Sequence, residues 1–588
     1  MTTLGLTPRR GAGAAGRRGG SLAGAVGWWA GRRRKGKAGV GAGASGPAAT
    51  SGEPVVRAAA GTAVTAVRQA VAKAVARAAA ALVACSLLYS YSLWRERPVP
   101  LPSHVLQPVI ASPTAQDRVL VVAPHCDDET LGPGGFVFDA ARRGATVYVA
   151  VMTNGDGFTL GARREFLSLR ASSGRLIEFG YLRQKESLEA TSVLGVPAEH
   201  VFFLGYPDRG LAAMWHEHWD RPYVSTYTRA SESPYANSYR ANALYCGEDV
   251  VRDLEDIIMK TRPTIILASA PLDGHADHWA TYNFVMYACE DLRERGLLPP
   301  GAPRVLWYVV HRGEWPYPKG LRPDMELWPP RGLGIDEVRW LSYRLSDNTV
   351  LAKADAIRKY RSQMLIMARY LLSFARTTEL FAEATSQAVP WVASPGPAID
   401  GRLDDWAAAR GAALAAVRMD PEPVNDCLLR QFGGAGDFTG MMVARDETSL
   451  YLGLRVRRAA SREIVYRVHL HPVGGRSRVG PEGDVDLAFR PGRPGAVSVR
   501  SPAAGGGRDL SGINAASRGT EIEMMIPLRL LGNPRTLFVA VESRFRGIMI
   551  DQTMWRILDL DGAIGMEPGF ASVQSPEAAR TVVRHDAA

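Results

Sequence analysis

Apolar runs alternate with amphipathic stretches between about residues 115 and 388. Strands buried on both faces of a sheet are predicted at 118–123, 146–153, 200–204, 264–269 and 304–311. Helical stretches lie between them at 134–143, 163–194, 247–260 and 280–295, and Gly174 and Gly180 are expected to interrupt the second. This alternation predicts right-handed βαβ units. The expected fold class is therefore α/β, with a Rossmann-like, doubly wound and mostly parallel sheet.

The pattern changes at about residue 389. Short apolar runs at 448–456, 521–527 and 536–541 are separated by turns rich in Gly and Pro. This spacing is typical of an all-β sandwich. We therefore expect one globular domain over 115–388 and a second over 389–588.

The N-terminal region has few signs of a folded domain. Residues 1–62 are rich in Gly, Ala and Arg, and a disordered basic tail is expected there. An Ala-rich helix is predicted over 63–97, and its residues 78–94 carry no charge over 17 positions, the lower limit for a membrane span. The prolines of 98–114 predict a stiff linker.

The positive charge of the chain is confined to its start. Residues 1–77 hold 13 Lys or Arg and one acid, whereas the remainder has 57 basic and 58 acidic residues. No nucleic-acid partner is therefore expected. The basic excess before the apolar run predicts a membrane anchor with its N-terminus inside and the body of the protein outside the cytoplasm. If residues 78–94 form a soluble helix instead, the body would be cytoplasmic.

Candidate metal ligands follow two of the predicted strands. The sequence Pro-His-Cys-Asp-Asp-Glu begins at Pro124, and His-Ala-Asp-His begins at His275. Because ligands of open α/β sheets bind beyond the carboxyl ends of the strands, both clusters are expected to meet at one edge. The five cysteines show no Cys-x-x-Cys spacing, so a thiolate site is disfavoured. Imidazole and carboxylate ligands suit Zn²⁺ and are compatible with other divalent ions.

The two clusters contain the groups that a hydrolytic metal site needs. Three protein ligands with an open fourth position would come from His125, Asp128 and His278. Asp127 is placed to take a proton from water, and His275 to protonate a leaving amine or stabilise an oxyanion. Asp277 could fix the tautomer of an imidazole. Either cluster alone has a simpler explanation, such as a helix cap, but both together favour a metal.

These clusters resemble the paired motifs of the PIG-L/LmbE-like zinc N-deacetylases. The segment from Pro124 is similar to that family's Pro-His-Pro-Asp-Asp-Glu motif, and the segment from His275 to its His-x-Asp-His motif. The resemblance spans about 117–385. One departure is Cys126, where the family usually has Pro; this thiol is either inert packing or a group that alters metal choice.

The resemblance implies a role for each matching residue. Zinc ligands fall on His125, Asp128 and His278, and the general base on Asp127. The proton-donating or oxyanion-stabilising His falls on His275, paired with Asp277. Sugar-binding roles fall on Arg183 and Asp208.

Two further segments bear on the substrate. Residues 208–247 are rich in Trp and Tyr, which predicts either a substrate-selecting lid or a structural flap. Around 395–560, the sequence Asp-Gly-Arg-Leu-Asp-Asp-Trp from Asp400 resembles family 9-like carbohydrate-binding modules, which implies glycan binding. Trp406 in this motif would otherwise be a core residue.

The sequence thus predicts a membrane-anchored, zinc-dependent hydrolase. It would remove an N-acetyl or other N-acyl group from an amino-sugar conjugate, such as an envelope glycan, a glycolipid or a polysaccharide. Two alternatives stay open: an amidase acting on a non-sugar acylated substrate, and a surface-glycan-binding protein with a vestigial metal site. A nicotinamide-binding role is disfavoured, because no Gly-x-Gly-x-x-Gly follows the first strand.

Overall fold

The computed structural model describes residues 109–330, 333, 338–406, 434–474, 485–492, 497–500 and 512–562, with six helical positions between 71 and 86. The predicted tail, nearly all of the predicted membrane helix and most of the linker lie outside these residues. Within the described part, no helix is long and apolar enough to cross a membrane. The chain divides into two units, Met1–Ala84 and Cys85–Ala588, and all strands belong to the second.

A seven-stranded mixed sheet forms the first half of the second unit. Its strands are β1 (Arg118–Ala123), β2 (Thr146–Thr153), β3 (Val201–Tyr206), β4 (Ile265–Ser269), β5 (Arg304–Tyr308), β6 (Trp340–Arg344) and β7 (Thr378–Glu383). Their spatial order is β3-β2-β1-β4-β5-β7-β6. The first five strands pair in parallel, and β7 pairs antiparallel with β5 and β6. The mostly parallel α/β sheet predicted from the sequence is confirmed.

Helices connect these strands. They are α1 (Asp128–Leu131), α2 (Gly134–Arg142), α3 (Thr159–Glu165), α4 (Ser173–Val193), α5 (Leu211–His216), α6 (Gly247–Thr261), α7 (Ala276–Glu294), α8 (Asp347–Ile357) and α9 (Arg361–Leu371). Helix α6 shows why they form: Val250, Leu254 and Ile257 recur at helical spacing and are all buried.

The structure corrects three details of the predicted elements. The helical stretch 163–194 is two helices, α3 and α4, separated by residues 166–172. Gly180 does not interrupt α4; it lies inside the helix, where a Cβ would be 2.2 Å from the Tyr235 hydroxyl. Gly174 lies in the first turn and does not interrupt it either. Strands β6 and β7 were not predicted.

A second, all-β part follows. One sheet has the order β14-β15-β10-β9 and the other β13-β12-β11-β16-β18-β8, with β17 paired to β16. The strands are β8 (Gln387–Ala388), β9 (Phe438–Arg445), β10 (Ser449–Val456), β11 (Ile464–Pro472), β12 (Val485–Phe489), β13 (Val497–Arg500), β14 (Asn514–Arg518), β15 (Glu521–Pro527), β16 (Thr536–Phe545), β17 (Ile548–Gln552) and β18 (Arg556–Asp559). Buried side chains of both sheets form one apolar cluster, which includes Leu452, Ile522, Val468 and Val539.

Trp406 belongs to the interior of this β domain. Its side chain is fully buried, and its Nε1 donates a hydrogen bond of 2.6 Å to Glu523 Oε1. Glu523 also accepts hydrogen bonds from the backbone of residues 400–402. Trp406 is therefore a core residue and not a surface on which a sugar ring could stack.

The β domain packs directly on the α/β domain. The Trp215 indole stacks on the His471 imidazole with ring centroids 4.4 Å apart, and it also contacts Phe538 and Trp555. These side chains are buried in the same apolar cluster as the mixed sheet. The two domains therefore share one core, which places Trp215, His216 and Trp219 of the aromatic segment between them.

Candidate active site

The two predicted clusters meet because their strands are neighbours. Strands β1 and β4 pair in parallel, so their carboxyl ends lie side by side. His125 follows β1 directly after Pro124, and α1 begins at Asp128. His275 caps the N-terminus of α7, which begins in the loop after β4 and carries His278 in its first turn.

Three ligand atoms form a small triangle at this edge. Asp128 Oδ2 lies 3.1 Å from His125 Nδ1 and 3.1 Å from His278 Nε2, and the two nitrogens are 3.3 Å apart. All three side chains are buried. Ligands about 2.0–2.1 Å from a tetrahedral zinc are about 3.3 Å from one another. The triangle therefore has the dimensions of a divalent metal site.

The surroundings of the triangle also favour a cation. Burial lowers the pKa of His278, but the carboxylates of Asp128 and Asp273 outweigh it and raise the pKa to about 9. Burial also opposes protonation of His125, yet hydrogen bonds to Asp128, Asp208 and Asp277 raise its pKa well above the usual value. The carboxylates around both imidazoles thus make this an environment that favours positive charge, whether a proton or a metal ion.

Carboxylates behind the two imidazoles fix their orientation. His278 Nδ1 lies 3.3 Å from Asp273 Oδ2, which accepts backbone hydrogen bonds from Val310 and His311. This arrangement leaves Nε2 of His278 free to face the triangle. Asp273 was not predicted, although it precedes His275 by only two residues in the loop after β4.

Asp277 supports His125 in the same way. Its Oδ2 is 3.3 Å from His125 Nε2, and its two oxygens accept backbone hydrogen bonds from Arg209 (2.5 Å) and Leu211 (3.1 Å). The sequence predicted that the Asp277 carboxylate pairs with His275, whereas in the structure it lies against His125. Instead, the backbone N–H of Asp277 donates to His275 Nδ1 at 3.2 Å.

Asp127 lies beside the triangle and next to a buried arginine. Burial and the charge of Asp128 raise its pKa to about 8. Asp127 Oδ1 is 3.5 Å from Arg183 Nη2, and the Arg183 guanidinium also donates to the carbonyls of Cys126 (2.8 Å) and Gly155 (3.3 Å). Arg183 is only 4% exposed, so it mainly ties these loops together.

Asp208 lies on the other side of His125. Its Oδ1 is 3.4 Å from His125 Nε2, and its Oδ2 accepts a hydrogen bond of 2.9 Å from Gly157 N. Burial alone would raise its pKa, but the hydrogen bond and charge of His125 lower it. The structure thus brings all eight predicted site residues to one edge of the sheet; their individual roles stay predictions.

Two histidines flank the triangle. The His275 ring is 4.7 Å from His125, and the His311 ring is 4.7 Å from His278. Burial and neighbouring imidazoles lower the pKa of His275 to about 4 and that of His311 to about 3. Asp128, His278 and His311 also have atoms close enough to share an ion. His311 was not predicted as a site residue, although it follows β5 at the same edge.

Cys126 is part of the core. Its side chain is fully buried within the apolar cluster of the mixed sheet, and burial raises the pKa of its thiol well above the usual value. None of the candidate metal clusters among the described residues includes it. The packing interpretation therefore suits this thiol better than a role at the metal.

The aromatic segment 208–247 is mostly structural. Trp215, Trp219, Tyr235 and Tyr245 are buried, which favours the structural flap for this part of the segment. Tyr227 is half-buried and lies against Gly157 beside Asp208, so it stays a candidate for contact with the substrate.

Comparison with known proteins agrees with this geometry. Residues 120–289 match the family described as PIG-L, GlcNAc-PI de-N-acetylase. A 1D-myo-inositol 2-acetamido-2-deoxy-alpha-D-glucopyranoside deacetylase from Corynebacterium glutamicum (strain R) is 26% identical over 279 residues, covering 46% of this chain and 82% of the relative. The protein of that name from Corynebacterium diphtheriae is 26% identical over 333 residues, covering 55% and 94%.

Among solved structures, the N,N'-diacetylchitobiose deacetylase of Pyrococcus horikoshii is 21% identical and has a TM-score of 0.29, covering 45% of this chain and 83% of that one. The similarity to a carbohydrate-binding module has no counterpart in these matches. The chain therefore contains a PIG-L/LmbE-like deacetylase domain at residues 120–289, and by this domain it is a metal-dependent N-deacetylase.

Proposed function

We propose that the chain removes the N-acetyl group from an N-acetylglucosamine conjugate, using zinc held by His125, Asp128 and His278. The observation that carries this proposal is the triangle of buried ligand atoms 3.1 to 3.3 Å apart. The sugar is supported by the relatives, which are named as deacetylases of an inositol glycoside of N-acetylglucosamine.

Bound zinc would supply Lewis acidity and a water molecule of lowered pKa. Accepting the proton of that water falls to Asp127. Burial and the neighbouring charge of Asp128 raise the pKa of Asp127 to about 8, so it can hold a proton near neutral pH, and a cation nearby would bring the value down. Arg183, 3.5 Å away, keeps the carboxylate in place.

His275 is suited to donate a hydrogen bond to the oxygen of the amide carbonyl. Its pKa of about 4 keeps the imidazole neutral at physiological pH. Because Nδ1 accepts a hydrogen bond from the backbone of Asp277, the single proton of the neutral ring must lie on Nε2. A fixed N–H donor of this kind stabilises charge as it develops on the carbonyl oxygen.

Asp208 and Arg183, the two residues with predicted sugar-binding roles, are proposed to act in different ways. Asp208 lies at the margin of the site, and we propose that it accepts a hydrogen bond from a sugar hydroxyl. Arg183 is buried, and its guanidinium already donates to two backbone carbonyls. We therefore propose that Arg183 acts on the substrate chiefly by positioning Asp127.

The test combines metal analysis with acetate release by the purified full chain. Asp127→Asn should retain zinc but lower acetate release from N-acetylglucosamine conjugates by about 10²–10⁴-fold, the usual contribution of a general base. Asp355→Asn, at a 65% exposed side chain on α8, is the matched control and should change neither quantity.

Other results would contradict the proposal in different ways. If acetate release depends on Asp127 but occurs only with acetylated peptides, the chain is an amidase with a non-sugar substrate. Zinc binding without release from any acetylated compound would identify a glycan-binding protein with a vestigial site.

The membrane anchor over 63–97, an extracytoplasmic body and glycan binding by 389–588 also remain proposals. The basic charge before the uncharged run 78–94 supports the first two. Proteolysis of intact cells against lysed cells tests them: a body that is cleaved only after lysis would contradict an extracytoplasmic location. Retention of the full chain on immobilised glycans tests the third.

A further inference from the structure

Three leucines beside the candidate site are unusually exposed. Leu160 is 56% exposed, Leu167 93% and Leu169 94%, and all lie in or just after α3. Other apolar side chains of the same segment, Phe158 and Phe166, pack against a small cluster around Phe179. The segment therefore buries some of its apolar side chains and leaves these leucines in water.

Arginines surround these leucines. Arg163, Arg164 and Arg170 are exposed, and the one acid between residues 158 and 172 is Glu165. Neighbouring arginines form ion pairs, as Arg175 does with Glu178 at 2.7 Å. Within the described part of the chain, the three arginines around the leucines form no such pair. We call Leu160, Arg163, Arg164, Leu167, Leu169 and Arg170 the Leu/Arg patch.

The Leu/Arg patch begins close to Asp208 along the chain. Helix α3 begins at Thr159, two residues after Gly157, whose N–H donates to Asp208. Helix α9 lies against α3 and carries a fourth exposed leucine, Leu365, at 57%. A surface that covered the patch would therefore lie near the segment that holds Asp208.

We propose that the Leu/Arg patch docks the enzyme on an anionic lipid surface. Interfacial segments combine leucines that enter the boundary of the acyl chains with arginines that face anionic head groups. A second copy of the chain fits the patch less well, because a symmetric dimer would place its arginines against those of the partner.

One consequence rests on the proposed function. If the chain deacetylates an amino-sugar conjugate, docking favours a conjugate attached to a lipid over the same sugar free in solution. The docking itself does not depend on the reaction, so it can be tested without substrate.

The test follows hydrogen exchange of the full chain with and without vesicles. Vesicles of phosphatidylcholine and phosphatidylglycerol should slow amide exchange in residues 158–172, and phosphatidylcholine alone should slow it less. Leu167→Ser combined with Leu169→Ser should abolish this protection and weaken vesicle binding through the patch at least about tenfold, since burying one Leu gains that much or more. Both side chains are exposed, so the fold should not change.

Leu351→Ser is the matched control, because Leu351 is 58% exposed on α8, away from the Leu/Arg patch. It should behave as the wild type. Vesicle binding by residues 1–97 is common to all variants, so exchange in 158–172 is the deciding measurement.

Three results would overturn the proposal. The first is unchanged exchange in 158–172 on addition of anionic vesicles. The second is a dimer, formed without lipid, that the double variant abolishes. The third is an equal loss of kcat/KM by the double variant on soluble and vesicle-bound substrate, which would assign the leucines to the substrate pocket. Failure of the proposed deacetylation would appear separately, as absent acetate release from a chain that still docks.

Discussion

Asp273 lies behind His278, one of the three predicted metal ligands. It lies 3.3 Å from Nδ1 of His278 and is itself fixed by two backbone N–H groups. Asp273→Asn should therefore weaken zinc binding about 10–100-fold. The amide oxygen can still accept the hydrogen bonds of Val310 and His311, whereas the hydrogen bond from His275 N to Oδ1 is lost, so denaturant unfolding should accompany the measurement. Chelator competition measures the affinity, and Asp404→Asn, at a 69% exposed side chain, serves as the control. An unchanged affinity would show that Asp273 does not orient His278.

Gly155 matters for a different reason. It has a φ of 65°, and a Cβ at this position would be 1.4 Å from Arg183 Nη1. Gly155→Ala should therefore displace Arg183 from Asp127, lower acetate release and cost about 1–3 kcal/mol of unfolding free energy. Gly174→Ala is the control, since a Cβ there meets nothing within 4 Å and should stabilise α4 by about 0.5–1 kcal/mol. Denaturant unfolding distinguishes the two variants, and a neutral Gly155→Ala would contradict the close approach.

At the scale of elements, a buried ion pair anchors α2, the helix that follows the loop of His125 and Asp128. Lys353 on α8 donates to Glu379 on β7 at 2.6 Å, and both side chains are fully buried. Glu379 also accepts hydrogen bonds from the backbone of Gly135 and Phe136 at the start of α2. Three elements are thus joined at one carboxylate.

Breaking this pair should be costly. Glu379→Gln would leave the Lys353 ammonium buried without a counter-charge and should lower the free energy of unfolding by about 3–5 kcal/mol. Adding Lys353→Met removes that charge and should recover part of the loss. Chemical denaturation of both variants provides the measurement. A loss well under 1 kcal/mol in the single variant would mean that water reaches the pair.

The sequence predicted the elements that follow simple periodic rules. Strands β1 to β5 are continuous apolar runs, and the rule that ligands gather beyond their carboxyl ends brought His125 and His278 together correctly. The same rule would have included His311, which follows β5. Strands β6 and β7 were not predicted because their apolar runs are short. They form the antiparallel edge of the sheet and are separated by two helices, so the spacing of βαβ units does not indicate them.

Other features depend on contacts that periodicity does not reveal. The break between α3 and α4 falls at residues 166–172, where no Gly or Pro marks it. Gly180 suggested an interruption of the helix, but its missing side chain instead leaves room for Tyr235. The burial of Trp215 depends on a domain that begins more than 150 residues later, so the sequence could equally suggest a lid.

At the scale of the whole molecule, the contact between the two domains includes a buried histidine that lies between two carboxylates. His469 of β11 has its Nδ1 2.6 Å from Asp486 and its Nε2 3.5 Å from Glu542, and its ring meets that of His216 on α5. Burial lowers the pKa of His469, but the two carboxylates outweigh burial and raise it to about 9.

This raised pKa predicts a loss of stability at alkaline pH. The stabilisation is fully present below the unfolded value of about 6.5, declines as pH rises, and is lost above about 9. Between pH 7 and 10 the wild type should lose a few kcal/mol more than His469→Gln, which lacks the titrating group. Denaturant unfolding across this range is the test. Parallel curves for the two proteins would contradict the raised pKa.

Helix α5 is short, yet it touches both the active site and the β domain. Its first residue, Leu211, donates to Asp277, and its last two, Trp215 and His216, pack on His471 and His469. In evolutionary terms, the sequence of α5 should depend on whether a β domain is present. A relative that had lost the β domain would expose the Trp215 face and should carry a polar residue there, and an exchange of β domains between relatives should succeed only when α5 is exchanged with them.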